Sequence, residues 1–251
     1  MIVNADDFGY SDVRNDAIVR AFREGLISSA TLMSTRDSYL GACELVHSVG
    51  LERHVGLHLV LTEDVPVTEA CRRCPSLCDA EGRFRPELDT GRLLRAGPSE
   101  RAVVYAELRA QAERLRAERV PLTHIDSHHH THAHPAVIGL VVALARELDV
   151  RAVRLARNCD PRTGVPRRAV HAYVNARIRR AGLAATRWFG RVEDYVALQA
   201  SDADDIEVMT HPSLRDGLLV DMGGRPLADY VAPLAAAAPF VSYAGEPVSV
   251  A

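Results

Sequence analysis

Lysine is absent: all thirty basic residues are arginine, set against thirty-three aspartates and glutamates for a formal net charge of −3. A chain so balanced has no basic face of the strength that nucleic-acid binding needs, and that class of partner is set aside. Aromatic residues make up only 5%, with a single tryptophan, Trp188. No run of about 18 apolar residues occurs, so no membrane span is expected. The segment Met1 to Asp7 lacks a positive stretch followed by an apolar one, and a cytoplasmic location is expected. Cysteines are few and odd in number (Cys43, Cys71, Cys74, Cys78, Cys159), which makes reduced thiols the default. With 251 residues, 47% of them hydrophobic, the chain suits one folded α/β domain over 1–251.

Short β-branched apolar runs alternate with longer stretches of helical period, the pattern of parallel strands joined by crossover helices. Strands are predicted at 1–5, 27–33, 55–61, 122–126, 152–155, 206–210 and 240–243. Helices are predicted from Ser11 as N-cap to Gly25, over 38–48, from Ser99 as N-cap, after His134-Pro135, over 167–180 and over 227–235. Residues 62–97 read as a long irregular insertion with three prolines and three cysteines, a length that usually marks a lid or functional loop. The sum is an α/β fold, a (β/α) barrel or a distorted one, whose functional groups should lie at the C-terminal ends of strands.

Histidine is where the sequence is unusual. Six of the eleven fall between His124 and His134, where composition alone predicts about 0.5. Four predicted strand ends carry acid or imidazole: Asp6-Asp7, His58, Asp126-Ser127-His128 and Thr210-His211-Pro212. A carboxylate with two imidazoles suits a divalent transition metal with open positions for water and substrate. Two adjacent carboxylates repel, which favours one as metal ligand and its neighbour as general base. Each piece also has a plainer reading. Asp-Asp-Phe-Gly could be a capping turn, and His58 a hydrogen-bonded strand histidine. His128 and His132 are spaced i, i+4 without the glutamate of a zincin helix, so a metalloprotease is disfavoured. Cys71, Cys74 and Cys78 could supply three ligands of a structural zinc, but no fourth stands nearby.

In order and separation, Val3-Asn4-Ala5-Asp6-Asp7-Phe8-Gly9, Gly56-Leu57-His58 and Thr123 to His132 resemble the YdjC/ChbG-type carbohydrate deacetylases. Weaker echoes are Leu61-Thr62 with Pro66, Arg154, Phe189-Gly190 and Met209 to Pro212. The resemblance implies a distorted (β/α) TIM-like barrel, polysaccharide-deacetylase-like, that hydrolyses an N-acetyl group from an amino sugar with one divalent metal ion. By that likeness Asp7, His58 and His128 are the metal ligands and Asp6 the catalytic base. His211 is the candidate acid, Arg154 holds Asp6 ionised, and Asp126 orients a ligand histidine. His130, His132, Thr62 and Trp188 are the candidate substrate contacts, although packing is the better default for Trp188. Nitrogen-rich ligation favours zinc, with magnesium as the alternative. The competing readings are a metal-dependent phosphoesterase, which needs phosphate-binding cations, and a non-catalytic metal-binding protein. The arginine-rich stretch 167–180 reads as a solvated surface or a homodimer face.

Overall fold

The computed structural model describes residues 1–198 and 205–247, so the 1–251 expectation extends beyond the described residues at 199–204 and 248–251. Strand β1 (Ile2–Phe8) leads into α1 (Asp12–Arg23), where Ser11 caps the helix by accepting from the Arg14 amide. Then come β2 (Ser29–Leu32), α2 (Tyr39–Ser48) and β3 (Val55–Leu59). The insertion holds two short helices, α3 (Glu69–Arg72) and α4 (Thr90–Arg95), and rejoins the layer of longer helices through α5 (Pro98–Ala117). Gly97, not Ser99, is the α5 N-cap, because Pro98 takes the first helical position, where its missing amide costs nothing.

Strand β4 (Ile125–Ser127) runs into a 3-10 segment (His128–Ala133), followed by α6 (Ile138–Glu147) and α7 (Val165–Arg180). The chain continues through β5 (Trp188–Gly190), α8 (Val192–Leu198), β6 (Ile206–Thr210), the hairpin β7 (Ser213–Arg215) and β8 (Leu218–Val220), and α9 (Leu227–Ala235).

Six strands form one parallel sheet in the order β4-β3-β2-β1-β6-β5, curled as a half-barrel. Strands β1, β2, β3, β4 and β6 are buried along their whole length, as expected for parallel strands covered on both faces. The strand predicted at 152–155 is reduced to single parallel bridges, Ile125 to Val153 and Ala152 to Ala184, and the one at 240–243 to a bridge between Val241 and Pro247. An eight-stranded barrel is therefore not formed among the described residues. A fully buried glutamate on α5 anchors the insertion: Glu107 accepts from the Val67 and Thr68 amides and the Thr68 hydroxyl at 2.7–2.9 Å. The five cysteines are buried free thiols. Cys74 faces Glu100 and Cys78 donates to the Cys71 carbonyl, and among the described residues no cysteine joins a metal-ligating group, against a three-cysteine zinc site.

Gly56 in β3 shows why that strand tolerates no side chain there. A Cβ would stand 2.4 Å from the His124 ring, whose imidazole lies flat against Tyr243 at 3.8 Å between centroids. Gly56→Ala is expected to cost about 2 kcal/mol or more through overpacking. A urea unfolding midpoint unchanged from wild type would contradict this contact.

Candidate metal centre and active site

Adjacent residues in a strand point to opposite faces, so Asp6 and Asp7 should not share a site. The pairing of β1 with β2 slips between Ala5 and Phe8, and Asp7 takes a left-handed φ of +68°. That kink brings both carboxylates to the C-terminal pole of the sheet. Asp7 meets the ends of β3 and β4: its Oδ1 lies 3.3 Å from His58 Nε2 and 2.9 Å from His128 Nδ1. Ligand atoms of the three residues all lie within 4.8 Å of one another.

The donor chemistry fits a divalent ion. His58 Nδ1 is bonded to Asp126 Oδ1 at 2.7 Å and contacts the Thr31 hydroxyl at 3.1 Å, which leaves Nε2 buried without a hydrogen bond and turned to Asp7. A carboxylate behind the ring fixes a histidine in the tautomer a metal needs. Burial alone would depress the His58 pKa, yet Asp126, Asp7 and Asp6 around it push it up to about 10. Burial would raise Asp7, but His128 and His58 hold its carboxyl well below the usual range. Both shifts express a demand for positive charge between these groups. A second donor set, Glu63 with His128 and His129, lies on the solvent side.

Behind the cluster, Arg154 is completely buried and grips three carboxylates. Its Nη1 and Nη2 bond Asp6 at 2.8 and 2.7 Å, Nη1 also meets Asp126 at 2.5 Å, and Nε bonds Glu207 at 2.6 Å. Desolvation opposes ionisation of Asp6, but Arg154 outweighs it and holds that carboxyl below its ordinary value. Asp126 is held down in the same way, by Arg154 and His58. Glu207 is different: burial dominates and raises it to about 7, with the Tyr243 hydroxyl bonded to its other oxygen. His211 stands with Nε2 4.0 Å from Asp6 Oδ2, its backbone amide donating to Asp221, and lines a cleft of about 340 Å³.

The candidate substrate contacts fare differently. His132 and Thr62 are almost wholly inaccessible. His132 Nδ1 bonds Ser127 Oγ at 2.7 Å, and the Thr62 hydroxyl holds His129 at 3.1 Å. Trp188 faces the helices, because its neighbour Phe189 takes the inward position against His130 and the Arg154 guanidinium. His130 stays at the pole, edge-on to Phe189 at 5.5 Å. Glu207 and Tyr243 were not anticipated. A glutamate inside the otherwise apolar Ile206 to Met209 run was the available signal for the first, whereas Tyr243 had none.

The buried histidines predict a pH response. Burial lowers His132 to about 4 and His124 to about 3. Each binds its proton more readily unfolded, where the value is 6.5, so the stability it contributes is present above pH 6.5 and lost as pH falls toward the folded value. His132→Gln should remove roughly 3 kcal/mol of the stability difference between pH 7 and pH 4. Urea midpoints of variant and wild type that run parallel over that range would refute it.

Residues 1–230 match the model of the YdjC-like protein family, and the chain belongs to that family. It is 48% identical over 155 residues to a carbohydrate deacetylase of Brevibacillus brevis, covering 60% of this chain and 57% of that one. It is 33% identical over 233 residues to a chitooligosaccharide deacetylase of Yersinia pestis, covering 89% and 85%. The matches to the Brevibacillus protein and to a Geobacillus stearothermophilus carbohydrate deacetylase span less than two thirds of those relatives, 57% and 60%. A crystal structure from Enterococcus faecalis, described as a candidate cellobiose-phosphate cleavage protein, shares the fold with a TM-score of 0.66 at 23% identity, over 86% of this chain and 81% of that one.

Proposed function

We propose that the chain is a metal-dependent hydrolase that removes the N-acetyl group from an N-acetylated amino sugar, such as an N-acetylglucosamine unit of an oligosaccharide or glycoconjugate. The observation that carries the reading is the convergence of Asp7, His58 and His128 beside the ionised Asp6, with His211 4.0 Å from it. The names of the relatives, carbohydrate and chitooligosaccharide deacetylase, supply the substrate class.

Asp7, His58 and His128 would hold one divalent ion, zinc on ligand chemistry. When bound it supplies Lewis acidity for the water and the acetamide carbonyl. Asp6, kept anionic by the Arg154 fork, accepts a proton from the attacking water. His211, 4.0 Å from Asp6, gives a proton to the departing amine. Asp126 and Thr31 keep His58 in register. The same reading takes the bridges at Val153 and Ala184 as the closing staves of a distorted barrel and the 62–97 insertion as the wall over the substrate.

A phosphoesterase would need cations for its substrate. Arg154 is fully buried among carboxylates, and Arg157 is paired with Asp194 at 2.7 Å through both Nε and Nη2, which disfavours that alternative. The leftover histidines serve packing and hydrogen bonds, which disfavours a metal buffer. The test is acetate release from N-acetylglucosamine oligosaccharides by zinc-loaded protein. Full metal occupancy with no acetate from any of them defeats the reading.

A further inference from the structure

On the outer side of the sheet, away from the metal-ligating cluster, a cleft of about 560 Å³ opens between α7 and residues 157–163, with Trp188 as part of its wall. That volume is in the range of small-molecule sites. Phe189 separates it from the pole: its ring faces Arg154 and His130, and the preceding side chain, Trp188, turns the other way, to the cleft. Neither the metal cluster nor the proton-transfer residues reach it.

Which polar groups remain unspent decides the ligand chemistry. Asn158 uses both side-chain atoms, on the Arg187 carbonyl and the Phe189 amide, and Asn175 uses both on the Ala156 backbone. Asp160, the one carboxylate among the described lining residues, is held by Arg157 and Arg162. The acceptors of these three are therefore engaged; His171, whose Nδ1 donates to the Arg157 carbonyl, keeps Nε2 as an acceptor, and the arginines supply most of the remaining capacity, as donors. The Arg180 side chain makes no hydrogen bond or ion pair among the described residues, and Arg168 and Arg179 are each tied by a single nitrogen to a backbone carbonyl. The Trp188 indole Nε1 is buried without an acceptor among the described residues, a deficit that an incoming oxygen beside it would relieve. The alanines Ala172 and Ala176 and the indole give the cleft an apolar floor.

We propose that this cleft binds a small organic oxyanion, a phosphate or carboxylate carried on a flat apolar body, at a site separate from the metal-ligating cluster. The arginines of α7 take the oxyanion and the Trp188 wall takes the body. The arginine-rich stretch thereby gains a ligand, in place of the solvated or dimer face that its composition suggests.

Because Trp188 is the sole tryptophan, fluorescence excited at the red edge, where tyrosine does not absorb, reports this cleft. Titration with AMP or with benzoate is expected to give a saturable change. AMP alone acting assigns the site to phosphates, and benzoate alone to carboxylates. Adenosine and inorganic phosphate, each lacking one half of the ligand, should bind about tenfold more weakly, and Arg180→Ala or Arg168→Ala should weaken the response by about tenfold. Asp7→Asn should leave it intact, so the result stands whether or not acetate is ever released at the other site. Three outcomes overturn the proposal: no saturable change with either anion, a change that both arginine variants retain in full, or a change that follows protein concentration instead of added anion.

Discussion

Asp6→Asn is expected to lower acetate release from N-acetylglucosamine oligosaccharides by about a thousandfold or more while a divalent ion stays bound, and Asp7→Asn to lose the ion itself. The two neighbours divide the work because the kink at Asp7 aims them at different partners. Asp6 is bonded to Arg154 and Asn4 and touches neither His58 nor His128 through a hydrogen bond. Asp7 faces both imidazoles. An asparagine at 6 keeps an acceptor for the arginine fork but cannot take a proton from water, so chemistry stops and the ion remains. An asparagine at 7 removes the one charged ligand of the set. Losing a group that merely supports a ligand costs ten- to a hundredfold in metal affinity, so losing the ligand should cost about a hundredfold or more. Metal content after dialysis, set beside turnover and a thermal melt that establishes folding, separates the cases. If both variants lost metal equally, the assignment of Asp6 as base would fail. If Asp6→Asn kept wild-type turnover, no general base would reside there.

Much of this arrangement is legible in the sequence. Period and capping located α1, α2, β3, β6 and α9, because each has a strong apolar pattern and a clear stop. Asp6, Asp7, His58, Asp126, His128, Arg154 and His211 stand at or near strand ends, and a parallel sheet brings such ends to one pole. What the pattern could not supply was parity and burial. Trp188 and Phe189 sit in a three-residue strand, too short for its alternation to say which ring faces inward, and a one-residue error exchanges the two faces. The histidine tract contains two consecutive left-handed residues, His129 (φ +50°) and His130 (φ +55°). Helical or strand periodicity therefore does not propagate through it. That turn sends His132 inward to Ser127 and leaves His128 at the pole. The crowding of histidines then has a physical account. His124 packs on Tyr243, His129 bonds Thr62, His130 meets Phe189, and His134 reaches Thr90. Tyr243 was beyond reach because its contact with Glu207 links the C-terminal end of the described chain to a strand 36 residues earlier with no local signal.

Arg154→Met should have the largest effect on stability. The change conserves length but strands Asp6, Asp126 and Glu207, all at most 2% exposed, without their common cation. Breaking one buried pair costs about 3–5 kcal/mol, and here a single side chain serves three carboxylates. The expected loss is about 5 kcal/mol or more at pH 7, comparable to the whole stability of an ordinary domain. Soluble folded protein should then be scarce at neutral pH. Acid should rescue it. In wild type the arginine lowers Asp6 and Asp126, so their contribution is present above the ordinary carboxylate value of 3.8 and is lost as pH falls below it. Without the arginine the same buried carboxyls titrate above 3.8, so the variant gains most below that value and loses it as pH rises. The gap between the two proteins therefore widens from pH 4 to pH 7. Arg154→Met combined with Asp126→Asn removes one stranded charge and should recover part of the loss, a coupling that adding the single effects would not give. Arg154→Lys keeps one cation but not the two-pronged grip on Asp6, so it should fold and yet lose turnover. Urea unfolding of the four proteins at pH 4 and pH 7 provides the measurement. A gap that stays constant with pH, or a double variant no better than Arg154→Met, would mean that Arg154 stabilises the fold by packing and not by neutralising these carboxylates.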